Sequence, residues 1–212
     1  MDKAQSQLLE ALKAVGLQNM GTCRVEPNDG LVGQTIMLIG PDEPRFWDIF
    51  TASEHYNDGE PNPLDRWSVA VLDSIAKAAN GHAIYPFGGP PYHPFHSWAL
   101  RSGQSWSSPI GFLVHRTAGL FASYRGALLL PWETQGRLMT SPCMTCTDQP
   151  CRSACPVDAF SDGYAVDTCK SYLHSPEGQN CMTQGCAARR ACPVGQGLRQ
   201  PAQAAFHMEA FL

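Results

Sequence analysis

The chain has 212 residues, a formal net charge of −4 and nine cysteines. The slight acidity and the absence of a basic run argue against nucleic acid as the main partner. The charged start of the chain predicts no secretory signal peptide, and no apolar run has the ~20 residues of a membrane span. We therefore expect a cytoplasmic protein with reduced cysteines, in which disulfides would persist only if the chain were exported by another route.

The first 135 residues carry alternating patterns of short helices and strands. Helices are predicted where apolar residues recur at helical spacing, over residues 5–15 and 64–79. Strands are predicted where short apolar runs end at glycine or proline, over residues 35–39 and 82–87. Residues 88–98, GGPPYHPFHSW, are predicted as a loop. Two further apolar runs span residues 110–115 and 120–130, and the second predicts a long strand or hairpin arm.

Two domains are expected. Residues 1–135 form the first, and the helices interleaved with strands there favour an α+β or α/β fold in which helices cover a sheet. Residues 131–142 are interpreted as a linker, and residues 140–212 as a small second domain that carries eight of the nine cysteines. The ninth, Cys23, is interpreted as a small apolar residue, because nothing near it in the sequence would lower its pKa.

The second domain opens with a closely spaced cysteine run, Cys143-x2-Cys146-x4-Cys151-x3-Cys155-Pro156. Structural zinc sites usually offer two separated C-x2-C pairs. The run here is closer to the bacterial ferredoxin pattern C-x2-C-x2-C-x3-C-P, in which three cysteines hold one four-iron cluster and the fourth ligates another. The proline cannot donate a backbone hydrogen bond, and it fixes the bend that follows the run.

A second group of cysteines ends in the same way, at Cys192-Pro193. Because the last cysteine of each such run ligates the other cluster, we expect two [4Fe-4S] clusters. The first set of ligands is Cys143, Cys146, Cys151 and Cys192. The second set is Cys155, Cys169, Cys181 and Cys186. The spacings are longer than in ferredoxins, so one cluster with spare thiols, or zinc, remain the alternatives.

Residues 140–195 resemble the ferredoxin-like part of epoxyqueuosine reductase and of reductive dehalogenases. The likeness rests on the Cys-Pro run, on the lone Cys169 in the setting DTCKSYL, and on the group formed by Gly185, Cys186, Cys192 and Pro193. In those enzymes the clusters deliver electrons to a cobalamin. The resemblance therefore implies a small ferredoxin-like two-cluster module that supplies electrons to a corrinoid.

The strongest motif in the first domain is PIGFLVHRTAGLFASYRGALLLP, residues 109–131. It resembles the CblC-type cobalamin-processing proteins, in which a Gly, a His, a Gly and an Arg-Gly pair precede an apolar run that ends in Pro. The matching residues are Gly111, His115, Gly119, Arg125, Gly126 and the run Leu128 to Pro131. The resemblance implies a nitroreductase-like sheet covered by helices, and it makes Arg125 part of a pocket for a thiol cosubstrate or the corrin side chains.

Six residues are candidates for a cofactor pocket in the first domain: His93, His96, His115, Gly119, Arg125 and Gly126. His115 also has a structural interpretation, because a histidine at the end of an apolar run is commonly hydrogen-bonded within the core. His93 and His96 lie in a proline-rich loop and are candidate ligands of a metal or of cobalt. Arg125 is expected in the middle of a strand, where its charge needs an anion or a cavity. Arg189 and Arg190 lie between cluster ligands and are expected to offset cluster charge or to dock an electron donor.

These observations predict an iron–sulfur oxidoreductase of the cobalamin-processing type. It would take electrons from a donor protein and pass them through two [4Fe-4S] clusters to a corrinoid bound by the first domain. One alternative is a ferredoxin-type electron-transfer protein whose first domain docks a partner. The least favoured alternative is a flavin-dependent reductase, because flavin sites on a nitroreductase-like fold use basic residues near the N-terminus, where this chain has few.

Overall fold

The computed structural model describes residues 3–134, 136 and 138–212. The helices are α1 Lys3–Ala14, α2 Arg45–Thr51, α3 Glu54–Asn57, α4 Pro63–Ala78, α5 Phe95–Arg101, α6 Val166–Leu173, α7 Gln179–Gln184, α8 Ala187–Arg190 and α9 Pro201–Phe211. The strands are β1 Leu17–Arg24, β2 Thr35–Pro41, β3 His82–Ile84, β4 Ser105–Ser107, β5 Leu113–His115 and β6 Gly126–Leu130. The fold is therefore α+β, and within the described chain every helix is too short or too polar to cross a membrane.

The chain folds into two compact units. The sheet unit comprises the described residues of 1–104 and 123–138, and the cysteine unit comprises 105–122 together with 139–212. The sequence pattern instead assigns 105–122 to the first domain. In the structure Val114 and Leu120 share a buried apolar cluster with Cys151 and Cys192, so this segment supplies part of the core around the cysteines. Positions 135 and 137 of the predicted linker lie outside the described residues.

The sheet unit is built on a four-stranded antiparallel sheet with the order β1-β2-β6-β3. Every residue of β2 is buried, which means that both faces of the sheet are covered. Helices α1 and α4 pack against the sheet and against each other, and α5 packs against β1 and β2. The helical spacing that predicts α1 and α4 is confirmed, because the buried residues of each helix, such as Leu8 and Leu12 of α1, share one face.

Several boundaries differ from the predicted elements. The run 120–130 forms a strand only from Gly126 onwards, and 82–87 only as far as Ile84. Leu120 is nevertheless buried, because it packs into the cysteine unit as a loop residue. A continuous apolar run does not distinguish such a buried loop from a strand. The predicted loop 88–98 also runs into a helix, α5.

The cysteine unit combines a short hairpin with small helices. Strands β4 and β5 pair antiparallel, and Ser108 N–H donates to the Phe112 carbonyl at 2.8 Å across the hairpin end. Gly111, whose φ of 79° favours glycine, closes the turn by donating to the Ser108 carbonyl at 3.0 Å. Helices α6 to α9 follow the cysteine run, and α7 packs closely against α9.

Candidate metal centre

The four cysteines of the first set line one small pocket in the cysteine unit. The residues around it are Ser108, Pro109, Val114, Leu120, Pro142, Cys143, Cys146, Gln149, Pro150, Cys151, Cys192, Pro193 and Val194. Three of the four cysteines come from the run that starts at Cys143, and Cys192 joins them from the end of the second group. The structure thus brings together the thiols that the Cys-Pro symmetry assigns to one cluster.

Two 3₁₀ turns position the cysteines of the run. Cys143 lies in Pro142–Met144 and Cys151 lies in Pro150–Arg152, each opened by a proline whose missing N–H is not needed there. Gln149 precedes the second turn with φ 40°, a left-handed conformation that reverses the chain. The four residues between Cys146 and Cys151 provide the length for this reversal, which the shorter ferredoxin spacing does not require.

A tight turn supported by His115 approaches Cys192. The backbone of His115 pairs with that of Gly119, and His115 Nδ1 accepts hydrogen bonds from the N–H groups of Thr117 at 3.3 Å and Ala118 at 3.2 Å. Gly119 has φ 55°, and a Cβ there would overlap the Val194 carbonyl oxygen and lie 3.2 Å from Cys192 Sγ. His115 and Gly119 therefore shape the wall of the first set, whereas the sequence predicts them in a cofactor pocket of the first domain.

Burial raises the pKa of two thiols of the first set, those of Cys151 and Cys143. It raises the pKa of Cys151, and the neighbouring Cys192, Cys143 and Cys146 raise it further because nearby thiolates repel one another. Burial likewise raises the pKa of Cys143. The raised pKa values of Cys151 and Cys143 favour the protonated thiols, so binding of iron must displace protons from these two residues.

The second set lies around two tyrosines. Burial raises the pKa of Tyr164, and a hydrogen bond to Cys169 and the nearby Cys186 raise it further. Burial also raises the pKa of Tyr172, with smaller contributions in the same direction from its neighbours Cys181, Glu177 and Cys155. All four cysteines of the second set are therefore neighbours of one tyrosine or the other.

Hydrogen-bond donors lie beside two sulfurs of the second set, those of Cys155 and Cys186. Ala159 N–H donates to Cys155 Sγ at 3.4 Å. Cys186 precedes α8, and burial raises the pKa of its thiol while the N–H groups of Arg189 and Ala188 lower it. Such donors stabilise a thiolate, as is usual for a cysteine at the start of a helix.

A buried cation accompanies the second set. Burial lowers the pKa of Arg189, and the nearby Cys186 and Tyr164 oppose this shift. Its guanidinium donates to the Leu120 carbonyl at 2.9 Å and lies 4.6 Å from the centre of the Phe112 ring. An arginine stays charged in such a site because its intrinsic pKa is so high. Arg189 thus lies where a positive charge would offset an anionic cluster.

The donor set fits a four-iron cluster. In the described part of the chain, no group of three or more Cys, His, Asp or Glu side chains could hold a metal ion. A [4Fe-4S] cluster has a different requirement, because each of its four cysteines binds a separate iron and the ligands do not converge on one atom. Four buried or half-buried thiols around one pocket, as in the first set, meet that requirement.

The remaining candidates lie in the sheet unit. His93 is an exposed residue whose ring lies 5.8 Å from that of Trp98, and His96 is exposed on α5. Gly126 opens β6, where a Cβ would lie only 2.6 Å from Leu72 Cδ1, so its small size lets α4 pack on the strand. These residues do not form a group that could hold a metal ion in the described chain.

Arg125 lies directly before β6 and not in the middle of a strand. Its backbone N–H donates to the Ile39 carbonyl at 2.8 Å, and its guanidinium lies 3.6 Å from Asp65 and donates to the Tyr124 carbonyl at 3.3 Å. Burial lowers the pKa of Arg125, and Asp65 opposes the shift. The buried charge of Arg125 is therefore paired with the carboxylate of Asp65.

A buried network around Cys23 was missed in the sequence. The Arg101 guanidinium lies 3.6 Å from Cys23 Sγ and pairs with Asp29 at 2.8 Å. A hydrogen bond from Arg101 lowers the pKa of Asp29 to about 2. The pKa of Cys23 is still raised, because burial outweighs the effect of Arg101. No local signal reveals this network, since its members are distant in the sequence.

Comparison with known proteins adds no relative. No family model matches the chain, and none of the curated proteins compared with it matches significantly. The resemblances described above therefore rest on the quoted residues alone.

Proposed function

We propose that the chain is an iron–sulfur redox protein that passes electrons through two [4Fe-4S] clusters, one on each four-cysteine set, to a corrinoid bound by the sheet unit. The observation that carries the proposal is the pocket of the first set, where Cys192 meets the three cysteines of the Cys143 run. When bound, such clusters accept and release one electron at a time.

The residues around each set suit this role in different ways. Val114 and Leu120 keep water from the thiols of the first set, because both are almost fully buried beside them. Around the second set, the buried Arg189 provides a positive charge near Cys186, and the Tyr164 hydroxyl interacts with Cys169. A dry pocket and fixed donors are what a protein contributes to a redox centre, since the cofactor carries the electron chemistry.

The corrinoid as electron acceptor rests on the two resemblances and on Arg125. This buried guanidinium has five N–H donors in all, and its contacts with Asp65 and Tyr124 use only part of that capacity. Its remaining N–H groups can therefore donate to a thiolate cosubstrate or to the carbonyl oxygen of a neutral amide side chain of the corrin.

Anaerobic titration of the loaded protein with cob(II)alamin tests this proposal. We expect the absorption spectrum of the corrinoid to shift toward the base-off form, because the dimethylbenzimidazole arm must leave cobalt for the protein to approach it. Arg125→Leu should weaken this shift while the iron content stays the same. No spectral change at a large excess of cobalamin would contradict a corrinoid as the acceptor.

A ferredoxin-type electron-transfer protein with a partner-docking sheet unit is the second candidate. It is favoured by His115 and Gly119, which carry part of the CblC-type resemblance but belong to the cysteine unit. A protein that reduces an artificial acceptor yet leaves cobalamin unchanged would support it. A flavin-dependent reductase remains the least favoured proposal, and stoichiometric flavin in the purified protein would be needed to support it.

A further inference from the structure

Ser108 differs from the other residues that line the pocket of the first set. Its side chain is only 8% exposed, and its Oγ is buried with no hydrogen-bond partner among the described residues. A buried hydroxyl normally has a partner, because leaving it unsatisfied costs free energy. The four cysteine sulfurs of the first set line the same pocket.

The backbone of Ser108 is fixed on both sides. Its N–H donates to the Phe112 carbonyl at 2.8 Å, and its carbonyl accepts from Gly111 N–H at 3.0 Å. A closed hairpin turn, and not a loose loop, therefore holds Ser108 in the lining of the pocket. Only rotation about the side-chain bonds remains to aim its hydroxyl.

Other donors in this pocket are scarce. Four of its lining residues are prolines, which have no backbone N–H: Pro109, Pro142, Pro150 and Pro193. Gln149 carries a side-chain amide but is half-exposed. The Ser141 hydroxyl, outside the lining, acts on Cys143, and the Cys151 backbone N–H acts on its own sulfur. No donor of this kind is shown for Cys146 or Cys192 among the described residues, so the Ser108 hydroxyl is the buried donor in this pocket that has no partner.

We propose that the Ser108 hydroxyl donates a hydrogen bond to a sulfur of the cluster held by the first set and thereby raises the reduction potential of that cluster. Reduction adds negative charge to the sulfurs, so a donor stabilises the reduced form more than the oxidised form. This inference rests on the cluster part of the proposed function and is independent of the corrinoid.

Redox titration of the fully loaded protein, followed by electron paramagnetic resonance without cobalamin, tests the proposal. The signal of the first-set cluster is the one that Cys192→Ala removes. Ser108→Ala should lower its midpoint potential, which corresponds to a several-fold decrease in the equilibrium constant for reduction, and should leave the other signal unchanged. The neighbouring Ser107 is exposed, and Ser107→Ala should shift neither signal. Unchanged potentials in Ser108→Ala with full cluster content would overturn the proposal.

A second measurement separates a hydrogen bond from a packing effect. In the wild-type protein, exchange into D₂O should remove a proton hyperfine coupling from the first-set signal, and that coupling should be missing in Ser108→Ala. If Ser108→Ala loads poorly, the isosteric pair Ser108→Thr and Ser108→Val replaces it, and only Ser108→Thr should keep the coupling and the potential.

The outcomes also distinguish this inference from the proposed function. Wild-type protein that takes up no cluster would overturn both. Suppose that both clusters are present, that the first-set cluster has the same potential in the wild-type protein and in Ser108→Ala, and that the first-set signal shows no exchangeable proton coupling. Such a result would overturn only the role of Ser108. Protein in which Ser108 behaves as expected but cobalamin is not reduced would overturn only the corrinoid as acceptor.

Discussion

The two cysteine sets differ in what surrounds their sulfurs. The first set lies among prolines and apolar side chains such as Val114 and Leu120, with the Ser108 hydroxyl as its one fully buried side-chain donor among the described lining residues. The second set has backbone N–H donors, the Tyr164 hydroxyl and the buried Arg189. Donors and positive charge stabilise the more negative, reduced form of a cluster. We therefore expect the second cluster to have the higher reduction potential.

The largest effect is expected from replacing one cysteine ligand in each set, because each replacement should remove one of the two clusters. Cys192→Ala should abolish or degrade the cluster of the first set, and Cys169→Ala should do the same to the second, because each cluster needs four thiolates. In each variant the spin-coupled resonance of the reduced protein should disappear while one isolated cluster signal remains. Electron paramagnetic resonance with iron analysis measures both effects.

Cys23→Ala is the matched control, since Cys23 lies in the sheet unit. Its iron content should equal that of the wild-type protein. If Cys192→Ala and Cys186→Ala spare the same cluster, the assignment of the two sets is wrong.

Arg189→Met should change the potential of the second cluster more than that of the first. Loss of the buried charge should lower the reduction potential of the second cluster by at least ~59 mV, which is a tenfold decrease in the equilibrium constant for one-electron reduction. Loss of the donor to the Leu120 carbonyl should also reduce the free energy of unfolding by ~1–3 kcal/mol. The exposed Arg152 provides the control, because Arg152→Met removes an equal charge that solvent and salt already screen. Equal shifts in the two variants would contradict a special role for Arg189.

Gly119→Ala should impair the first set alone. Both Gly119 and Gly111 have positive φ, so alanine costs ~1–2 kcal/mol at either position. Only at Gly119 would the added Cβ also meet the Val194 carbonyl and Cys192 Sγ, whereas Gly111 faces open space. Iron content and the first-set signal should therefore fall in Gly119→Ala and stay near the wild-type level in Gly111→Ala. The reverse order would contradict the geometry described for Cys192.

Tyr164→Phe has the smallest expected effect. The phenyl ring keeps its stacking on Phe160, and only the hydroxyl that interacts with Cys169 is lost. The potential of the second cluster should fall by less than the ~59 mV of a tenfold change. Tyr172→Phe is the control, because the Tyr172 hydroxyl donates to the Glu177 carbonyl at 2.7 Å and not to a sulfur. Redox titration of both variants checks this prediction.

The sequence predicts the cysteine sets better than their surroundings. The Cys155-Pro156 and Cys192-Pro193 pairs predict that Cys192 joins the run that starts at Cys143, and these four cysteines do line one pocket. The roles of Ser108 and Gly119 depend instead on contacts with residues far along the chain, which no local pattern encodes.

A local pattern also cannot show that the motif over residues 109–131 is divided between the two units. Its residues up to 122 belong to the cysteine unit and the rest to the sheet unit. The apolar pattern predicts that Leu120 and Leu128 are buried, but it does not predict that they belong to the cores of different units. The apolar run over residues 120–130 likewise predicts Arg125 inside a strand, whereas the strand begins one residue later, at Gly126.

Iron and sulfide analysis of the anaerobically reconstituted wild-type protein tests the central claim most directly. Two [4Fe-4S] clusters predict about eight irons and eight sulfides per chain, with a broad brown absorbance that bleaches on reduction with dithionite. About four irons would leave one set without a cluster and contradict the two-cluster account. Bound zinc with no iron would contradict an iron–sulfur protein altogether.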